Sequence, residues 1–483
     1  MNGMTQEKLQ QIVEKLCVDF QVPSIMASIH TNGKTFFVGS GLSDLENAYA
    51  ATPDTIYAIA SASKAFIATA LCVLADDGKL SLDDRVIRHM PDFAMFDPYM
   101  TDHLTIRDAL GHRSGLPRHD LMWFNQPDLT VHEIVQRVRY LPPAFEPRAR
   151  MHYQNLMFSL ASVLVERLTG MAWQDFVKLR LLDPLGMTST YTRAKEYRDL
   201  GTDNVSQPYG LADGVVTKVP YNFLDNVGCA GCISSTVRDL DKWARLHQGR
   251  GVFEGKRIFS DAMADNLHNP QMIIKSGEMF AWDFPGYVDM TAYGQGWFIE
   301  SYRGHKLVHH GGTIDGYKSL VGFMPNEDVA FSILTNLNGN QSPSALGYYI
   351  CDVLLGLEEI DWSQKLRDAM AVAAEKVKTA NDGILQQTVN PPAASHAVED
   401  YAGTYTHPGY GSLGITAENG RVICHFIGQQ VELTHAGHDS YILYVKRHGV
   451  CMPLQFVGGF DGKITKLLIK ADDKCDFAEF LRG

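Results

Sequence analysis

Hydrophobic and polar positions change their spacing along this chain in an order that predicts layered helices and strands. The opening segment, "MNGMTQEKLQQIVEKLCVDF", places apolar residues at helical intervals. It is followed by "PSIMASIHTNGKTFFVGSGLSD", two β-rich runs joined by Asn-Gly, which predict a hairpin. Helical stretches then dominate to about residue 360, and short β-rich runs return after "YGQGWFIE". This order is typical of an α+β layer fold.

The pattern changes again in the last quarter of the chain. "DWSQKLRDAMAVAAEKVKTAN" has the apolar stripe of an amphipathic helix, and "DGILQQTVNPPAASHAVED" breaks every periodicity, as a linker does. Beyond it, short alternating strands are separated by Asn-Gly and Asp-Gly turns, which predict a small antiparallel barrel or sandwich. We therefore expect an α+β domain at 1–360, a helix and linker at 361–397, and a β-barrel domain at 398–483.

Composition narrows the classes of partner. The chain has 483 residues, of which 45% are hydrophobic and 20% charged, as in globular proteins. Its net charge of −12 is spread along the length without a basic stripe, so we expect no nucleic-acid partner. The N-terminus lacks the apolar core of a signal peptide, and no segment has the length and apolarity of a membrane span. These features, with eight mostly isolated cysteines, predict a cytoplasmic protein with reduced thiols.

The first candidate for chemistry is the pair Ser61 and Lys64 in "YAIASASKAFIATALCVLADDGKL". Three residues apart at the start of a buried helix that we expect to stop at Gly78, the two side chains share one face. Burial lowers the pKa of a lysine towards the range where it can take a proton from a serine. The alternative is a surface lysine that snorkels to solvent. This is the only Ser-x-x-Lys in the chain, and Ser63, off the shared face, is interpreted as structural.

Two further groups follow along the chain. Tyr153 and Asn155 open another buried helix; a tyrosine near a lysine can be a phenolate or relay a proton, and an asparagine amide can hold a carbonyl. Each is also common as a plain core or capping residue. In "HKLVHHGGTIDGYKSLVGFMPN" a strand runs into Gly-Gly after His310, which would let backbone N–H groups approach a ligand.

Two other motifs, and the histidines as a group, are alternative candidates for chemistry. Cys229-Ala-Gly-Cys232 lacks a second pair, so we interpret it as a tight turn rather than a zinc or redox site. Lys275-Ser276-Gly277 does not continue into a clean strand pair and is assigned to a surface loop. The histidines are scattered, so we expect no metal and no cofactor.

Taken in order, Ser-x-x-Lys, Tyr-x-Asn and His-Gly-Gly resemble the serine β-lactamase and penicillin-binding-protein superfamily. The chain is most similar to its class C branch, with D-alanyl-D-alanine carboxypeptidases, D-aminopeptidases and esterases. "LTIRDALGHRSGLP", "AGCISSTVRDLDKWA" and "AYGQGWFIE" also look like family segments. The resemblance covers roughly residues 8–357 and implies a β-lactamase/transpeptidase-like domain, an antiparallel sheet flanked by helices. The C-terminal segment resembles the lipocalin-like barrel of some members.

The resemblance also implies roles for individual residues. Ser61 would be the acylated nucleophile, Lys64 and Tyr153 the proton-transfer pair, and Asn155 a holder of substrate. Substrate would also meet Gly312 and Thr313, with an oxyanion hole formed by the N–H groups of Ser61 and Thr313. His310 stands where many β-lactamases have lysine. Because histidine is mostly neutral near pH 7 unless an acid holds its proton, strong β-lactamase activity becomes less expected.

The leading hypothesis is therefore a serine hydrolase that forms a Ser61 acyl-enzyme on a small-molecule or short-peptide substrate with an amide, peptide or ester bond. Alternatives are an acyltransferase with the same intermediate, a β-lactamase, and a binding protein that recognises penicillin without turnover. The barrel is expected either to cover the active-site mouth or to build a homo-oligomer.

Overall fold

A nine-stranded antiparallel sheet organises the first 360 residues of the computed structural model. The structure describes residues 3–483 except 125, 127, 199, 201, 222–224, 280–283, 427 and 446–449, and all counts refer to that part of the chain. In spatial order the strands are Met272–Ile274, Val288–Tyr293, Phe298–Tyr302, His305–Ile314, Tyr317–Met324, Val329–Thr335, Ser24–Thr31, Lys34–Asp44 and Tyr49–Ala50.

The sheet is covered on both faces, which explains why its central strands are buried throughout. Every residue of Ser24–Thr31 and of Val329–Thr335 is buried. Helices Gly3–Asp19 and Ser342–Leu355 pack on one face, and Val237–Gln248 packs on the other. The predicted hairpin is confirmed: Ser24–Thr31 pairs with Lys34–Asp44 through Asn32-Gly33, both with positive φ as a type I′ turn requires.

The remaining helices of this domain form a layer on the sheet face that carries Val237–Gln248. Two of them are buried along almost their whole length, Lys64–Asp76 and Leu156–Thr169. The first ends before Gly78, as predicted, because that glycine adopts the left-handed conformation (φ 70°). The other helices are Val86–His89, Pro98–His103, Ile106–Leu110, Leu121–Phe124, Val131–Arg137, Trp173–Val177, Lys178–Leu182, Asp183–Leu185, Ala194–Arg198 and Asp261–His268.

Short elements complete the domain. Three two-stranded ribbons pair Tyr57–Ala58 with Ser234–Ser235, Tyr209–Ala212 with Val215–Lys218, and Val252–Phe253 with Lys256–Arg257. Single 3-10 turns lie at Ala60–Ser63, Val138–Tyr140, Asp225–Ala230, Gln386–Thr388 and Val398–Tyr401. In the part of the chain that is described, no single helix is long and apolar enough to cross a membrane; the helices Leu156–Thr169 and Trp173–Leu185, bent by 79° to each other, reach that length and composition only when taken together.

The C-terminal segment forms a closed antiparallel barrel of eight strands, which decides between the barrel and the sandwich left open by the sequence. The exposed helix Trp362–Leu385 leads to it. The barrel closes where Tyr405 and Thr406 pair with Arg482 and Leu481. Its strands are Gly403–His407, Gly411–Glu418, Arg421–Phe426, Gln429–Gly437, Ser440–Val445, Val450–Gly458, Ile464–Ile469 and Ala478–Arg482.

One cluster of buried apolar side chains runs from the helical layer of the first domain into the barrel. It contains Leu116 and Leu141 of the first domain together with Tyr410 and Phe480 of the barrel. A second cluster fills the opposite face of the sheet, beneath Gly3–Asp19 and Ser342–Leu355. The barrel therefore packs against the layer that carries Ser61, not against the far side of the sheet.

Candidate active site

Ser61 lies on a 3-10 turn, Ala60–Ser63, that runs directly into the helix Lys64–Asp76. Ala60 has a left-handed backbone (φ 47°), which is unfavourable for a residue with a Cβ and persists only where the surroundings impose it. Here the N–H of Ile59 donates to Ile233 O at 3.0 Å, and Ser319 Oγ donates to Ile59 O at 2.7 Å. The sheet thereby fixes the turn that presents Ser61.

Lys64 is fully buried, with its Nζ atom 3.0 Å from Ser61 Oγ. The amine also lies 2.8 Å from Asn155 Oδ1 and 2.8 Å from the backbone oxygen of Ala230. Burial lowers the pKa of Lys64 well below its usual value, and the positive charge of Arg118 lowers it further. A neutral amine has two N–H donors, which the two acceptor-only oxygens occupy. Its lone pair is left to accept the Ser61 hydroxyl proton.

Tyr153 is buried beside this amine, which lies 4.9 Å from the centre of its ring. Burial raises the pKa of the Tyr153 phenol above its usual value, against the opposing effects of a hydrogen bond with Ser61 and the charge of Arg118. Of the two states considered from the sequence, the resting site thus favours the protonated phenol over the phenolate. A phenol beside the serine can relay a proton.

His310 is buried on the sheet face that also meets Tyr153, and its two ring nitrogens have different partners. Nδ1 lies 2.6 Å from Gly311 O, which can only accept, so Nδ1 carries the proton. Nε2 then accepts from the Tyr293 hydroxyl at 3.0 Å. Burial lowers the pKa of His310 well below its usual value. The ring is therefore neutral.

Gly312 and Thr313 complete the group of residues expected from the sequence. The strand His305–Ile314 runs into Gly-Gly, as expected, and continues two residues beyond it. Its neighbour Phe298–Tyr302 pairs with it only as far as His309, so the edge beyond is open to the cavity. A Cβ on Gly312 would lie 2.0 Å from Ile59 O and 2.8 Å from Ser61 N. Gly312 thus lets the strand pack directly on the serine turn.

The cavity in front of Ser61 has a volume of about 170 Å³. Thr313 lines it, so the structure brings all seven candidate residues to one place. Both polar and aromatic side chains line it, which suits a small ligand held by a few polar groups against apolar surface. Its other lining residues include Arg118, Trp123, Phe124, Asn155, Ala230 and Asn338.

Sequence reasoning did not single out Arg118, which lines the cavity, or Asp120, the acid paired with it. Arg118 lies 5.8 Å from the centre of the Tyr153 ring and donates to Asp120 Oδ2 at 2.5 Å. Asn155 Nδ2 donates to Asp120 Oδ1 at 3.3 Å. Part of this stretch, "HRSGLP", belongs to a segment that resembles the family, but nothing in "HRSGLPRHD" indicates a partner 35 residues away.

The two thiols of Cys229-Ala-Gly-Cys232 and the motif at 275–277 contribute no side chain to this constellation, although Ala230 and Gly231, between the two cysteines, line the cavity. Cys229 and Cys232 are buried, and their thiols are 3.1 Å and 3.4 Å from different carbonyl oxygens, those of Ser63 and Thr192. Residues 275–277 form an exposed turn after the edge strand. Ser63 Oγ accepts from the N–H of Ile233 at 3.1 Å and so braces the turn, as a structural hydroxyl does.

Comparison with known proteins gives this geometry a context. The unguisins hydrolase ungD' of Aspergillus campestris (strain IBT 28561) is 28% identical over 431 residues, which cover 84% of this chain and 76% of the relative. The solved D-amino acid amidase from Ochrobactrum anthropi SV3, complexed with L-phenylalanine amide, superposes with a TM-score of 0.60 at 25% identity. That superposition covers 73% of this chain and 98% of the amidase.

A third protein shares the fold of both domains. The octameric penicillin-binding protein homologue from Pyrococcus abyssi superposes with a TM-score of 0.66 at 21% identity, over 98% of this chain and 99% of that one. Residues 387–483 match a family described as a domain of unknown function, DUF3471. Residues 9–354, which hold the whole candidate site, match the family described as Beta-lactamase. The resemblance expected from the motifs is confirmed: the chain belongs to the beta-lactamase family and is a serine hydrolase.

Proposed function

We propose that the protein hydrolyses amide bonds in small amides or short peptides, with a preference for D-configured amino-acid residues, through a Ser61 acyl-enzyme. The observation that carries this proposal is the buried amine of Lys64, which lies 3.0 Å from Ser61 Oγ. Both of its N–H groups donate to other acceptors, Asn155 Oδ1 and Ala230 O. The unguisins hydrolase and the D-amino acid amidase support amide substrates over other acyl compounds.

The proposed reaction begins with a proton transfer. As Ser61 Oγ forms a bond to the substrate carbonyl carbon, its proton passes to the lone pair of Lys64 Nζ. The amide C–N bond then breaks, and the leaving amine takes a proton from the Tyr153 phenol, which Lys64 restores. Water attacks the ester carbon by the same route in reverse, releasing the carboxylic acid and the Ser61 hydroxyl.

The negative oxygen of each tetrahedral intermediate needs donors that are fixed before the reaction. The N–H groups of Ser61 and Thr313 are proposed for this role, since both residues line the cavity where the turn meets the open strand edge. Asn155 would hold the amine of Lys64 on one side and the substrate on the other.

The neutral state of His310 argues for amides over β-lactams. Its two ring nitrogens are hydrogen-bonded to Gly311 O and to the Tyr293 hydroxyl. Because the ring is neutral, it offers no positive charge to a substrate carboxylate. Among the described residues, the one acid that pairs with His309 or His310 is Glu300, whose Oε1 lies 3.3 Å from His309 Nε2 on the opposite sheet face. An amino-acid amide has no carboxylate, so its binding needs no cation from His310.

The decisive test compares Ser61→Ala with Ser63→Ala. Wild-type protein should react with a fluorophosphonate probe at Ser61 and release ammonia from D-amino-acid amides faster than from their L-enantiomers. Ser63→Ala should still be labelled, whereas Ser61→Ala should lose labelling and at least 1000-fold in turnover. Equal labelling of both variants, or turnover of chromogenic cephalosporins above that of every amide, would contradict the proposal.

We also propose that the protein assembles into a homo-oligomer. Support comes from the octameric homologue, whose whole chain superposes on this one, barrel included. Light scattering coupled to size exclusion should give a mass several times 53.7 kDa. A mass of one chain at micromolar concentration would contradict this.

A further inference from the structure

The barrel contacts the cavity wall from behind, at the segment 116–126, in which residue 125 lies outside the described part of the chain. Tyr410, in the turn before the strand Gly411–Glu418, is buried against His119, with its hydroxyl 2.6 Å from His119 Nδ1. Gln126 Nε2 donates to the backbone oxygen of Tyr410 at 2.6 Å, so Tyr410 contacts the segment at two points. The cavity residues Arg118, Trp123 and Phe124 all belong to this segment.

The tautomer of His119 follows from its partners. Nε2 lies 2.9 Å from Pro142 O, which can only accept, so Nε2 carries the proton and Nδ1 accepts from the Tyr410 hydroxyl. Burial lowers the pKa of His119, which keeps the ring neutral and preserves this arrangement. Both nitrogens of a fully buried ring are therefore satisfied, and one of them depends on a barrel residue.

The backbone at His119 has a conformation that needs such support. Its φ of 47° is left-handed, which is costly for a residue other than glycine. This conformation turns the His119 side chain to the barrel while its two chain neighbours face the active site. Arg118 lies over Tyr153, and Asp120 accepts from Asn155 Nδ2 and, at 3.0 Å, from Trp123 Nε1.

We propose that Tyr410 is a positioning residue for the active site. By holding His119 in its left-handed conformation, the barrel sets the place of the aromatic wall, Trp123 and Phe124, and of Asp120 behind Asn155. The barrel thereby determines how well the acyl group of the substrate fits, without touching the substrate itself. This inference rests on the proposed amidase function for its kinetic consequence only.

The test compares Tyr410→Phe with Tyr405→Phe. Both substitutions remove one buried barrel hydroxyl, but the Tyr405 hydroxyl donates to Tyr401 O, at 2.7 Å, within the barrel. Tyr410→Phe leaves His119 Nδ1 without a donor, so amide hydrogen exchange in 116–126 should become faster than in wild type. The KM for amides with a bulky acyl side chain should rise roughly 5- to 10-fold while kcat changes less than about 2-fold. Tyr405→Phe should resemble wild type in both.

Each outcome separates this inference from the proposed function. If wild-type protein turns over no amide, the proposed function fails, and hydrogen exchange alone then decides whether Tyr410 orders the wall. Equal exchange in 116–126 for the two variants would overturn the inference. So would faster exchange with an unchanged KM in an active enzyme, or an equal loss of kcat in both variants, since that would reflect barrel stability alone.

Discussion

Gly312→Ala tests whether the strand and the serine turn must pack without an intervening side chain. The new Cβ would lie 2.0 Å from Ile59 O, about 1.4 Å inside the 3.4 Å at which ordinary contacts begin. It would also lie 2.7 Å from Ser319 Oγ and 2.8 Å from Ser61 N. Two of these three atoms belong to the backbone, which cannot rotate away as a side chain can. The strand and the turn must therefore separate by about an ångström.

A displacement of this size acts on catalysis more than on folding. It would pull apart the two proposed oxyanion donors, and losing one such donor costs about 100-fold or more in kcat. Overpacking of a buried site costs roughly 1–3 kcal/mol of stability, which a protein of this size tolerates. We expect Gly312→Ala to remain folded by circular dichroism while its kcat for a small amide or ester falls at least about 100-fold.

The neighbouring glycine provides the control. A Cβ on Gly311 would lie 3.2 Å from Ser319 O and 3.7 Å from Leu320 Cδ1, so a shift of a few tenths of an ångström accommodates it. Gly311→Ala should keep kcat within about 10-fold of wild type. If the two variants lost the same activity, or if Gly312→Ala kept wild-type kcat, the close approach of strand and turn would not be the basis of catalysis.

Two further predictions concern the charge state of Lys64. The charge of Arg118 lowers the pKa of Lys64, and the charge of Asp120 raises it. The variant Arg118→Gln should therefore move the acidic limb of the kcat/KM profile to higher pH, and Asp120→Asn should move it to lower pH. Shifts in the same direction would contradict this. Since the unfolded lysine binds its proton up to about pH 10.5, the wild-type free energy of unfolding should rise with pH between the lowered folded pKa and that value. The rise should be at most about 1.4 kcal/mol per pH unit, measured by denaturant titration, and Lys64→Met should lack it. Parallel curves of unfolding free energy against pH for the two proteins would refute a neutral buried amine.

Local patterns were sufficient to predict much of the fold and the main residues of the site. The Asn32-Gly33 hairpin and the glycine stop at Gly78 depend on backbone conformations that few residues adopt, so short sequences identify them. Ser61 and Lys64 are close in sequence and lie on one helical face, which makes their contact local. The division of the chain at 360 and 398 and the catalytic role of each site residue stay predictions.

Other features depend on contacts that leave no mark in a local stretch. Alternation along a strand sends His309 and His310 to opposite faces, but it does not predict the partners that they meet there, Glu300 and Tyr293. The charge state of Tyr153 follows from how deeply the fold buries it, which helical spacing alone does not reveal. The contact of His119 with a barrel residue 291 positions later has no signature in either segment.

The buried cluster that joins the helical layer to the barrel has a consequence for how this protein folds. Leu141 and Tyr410 belong to that single cluster, although two separate families describe their parts of the chain. Such a shared core couples the two parts into one cooperative unit, so that neither reaches its full stability before the other docks. We therefore expect a single unfolding transition, in which the barrel and the catalytic domain unfold together.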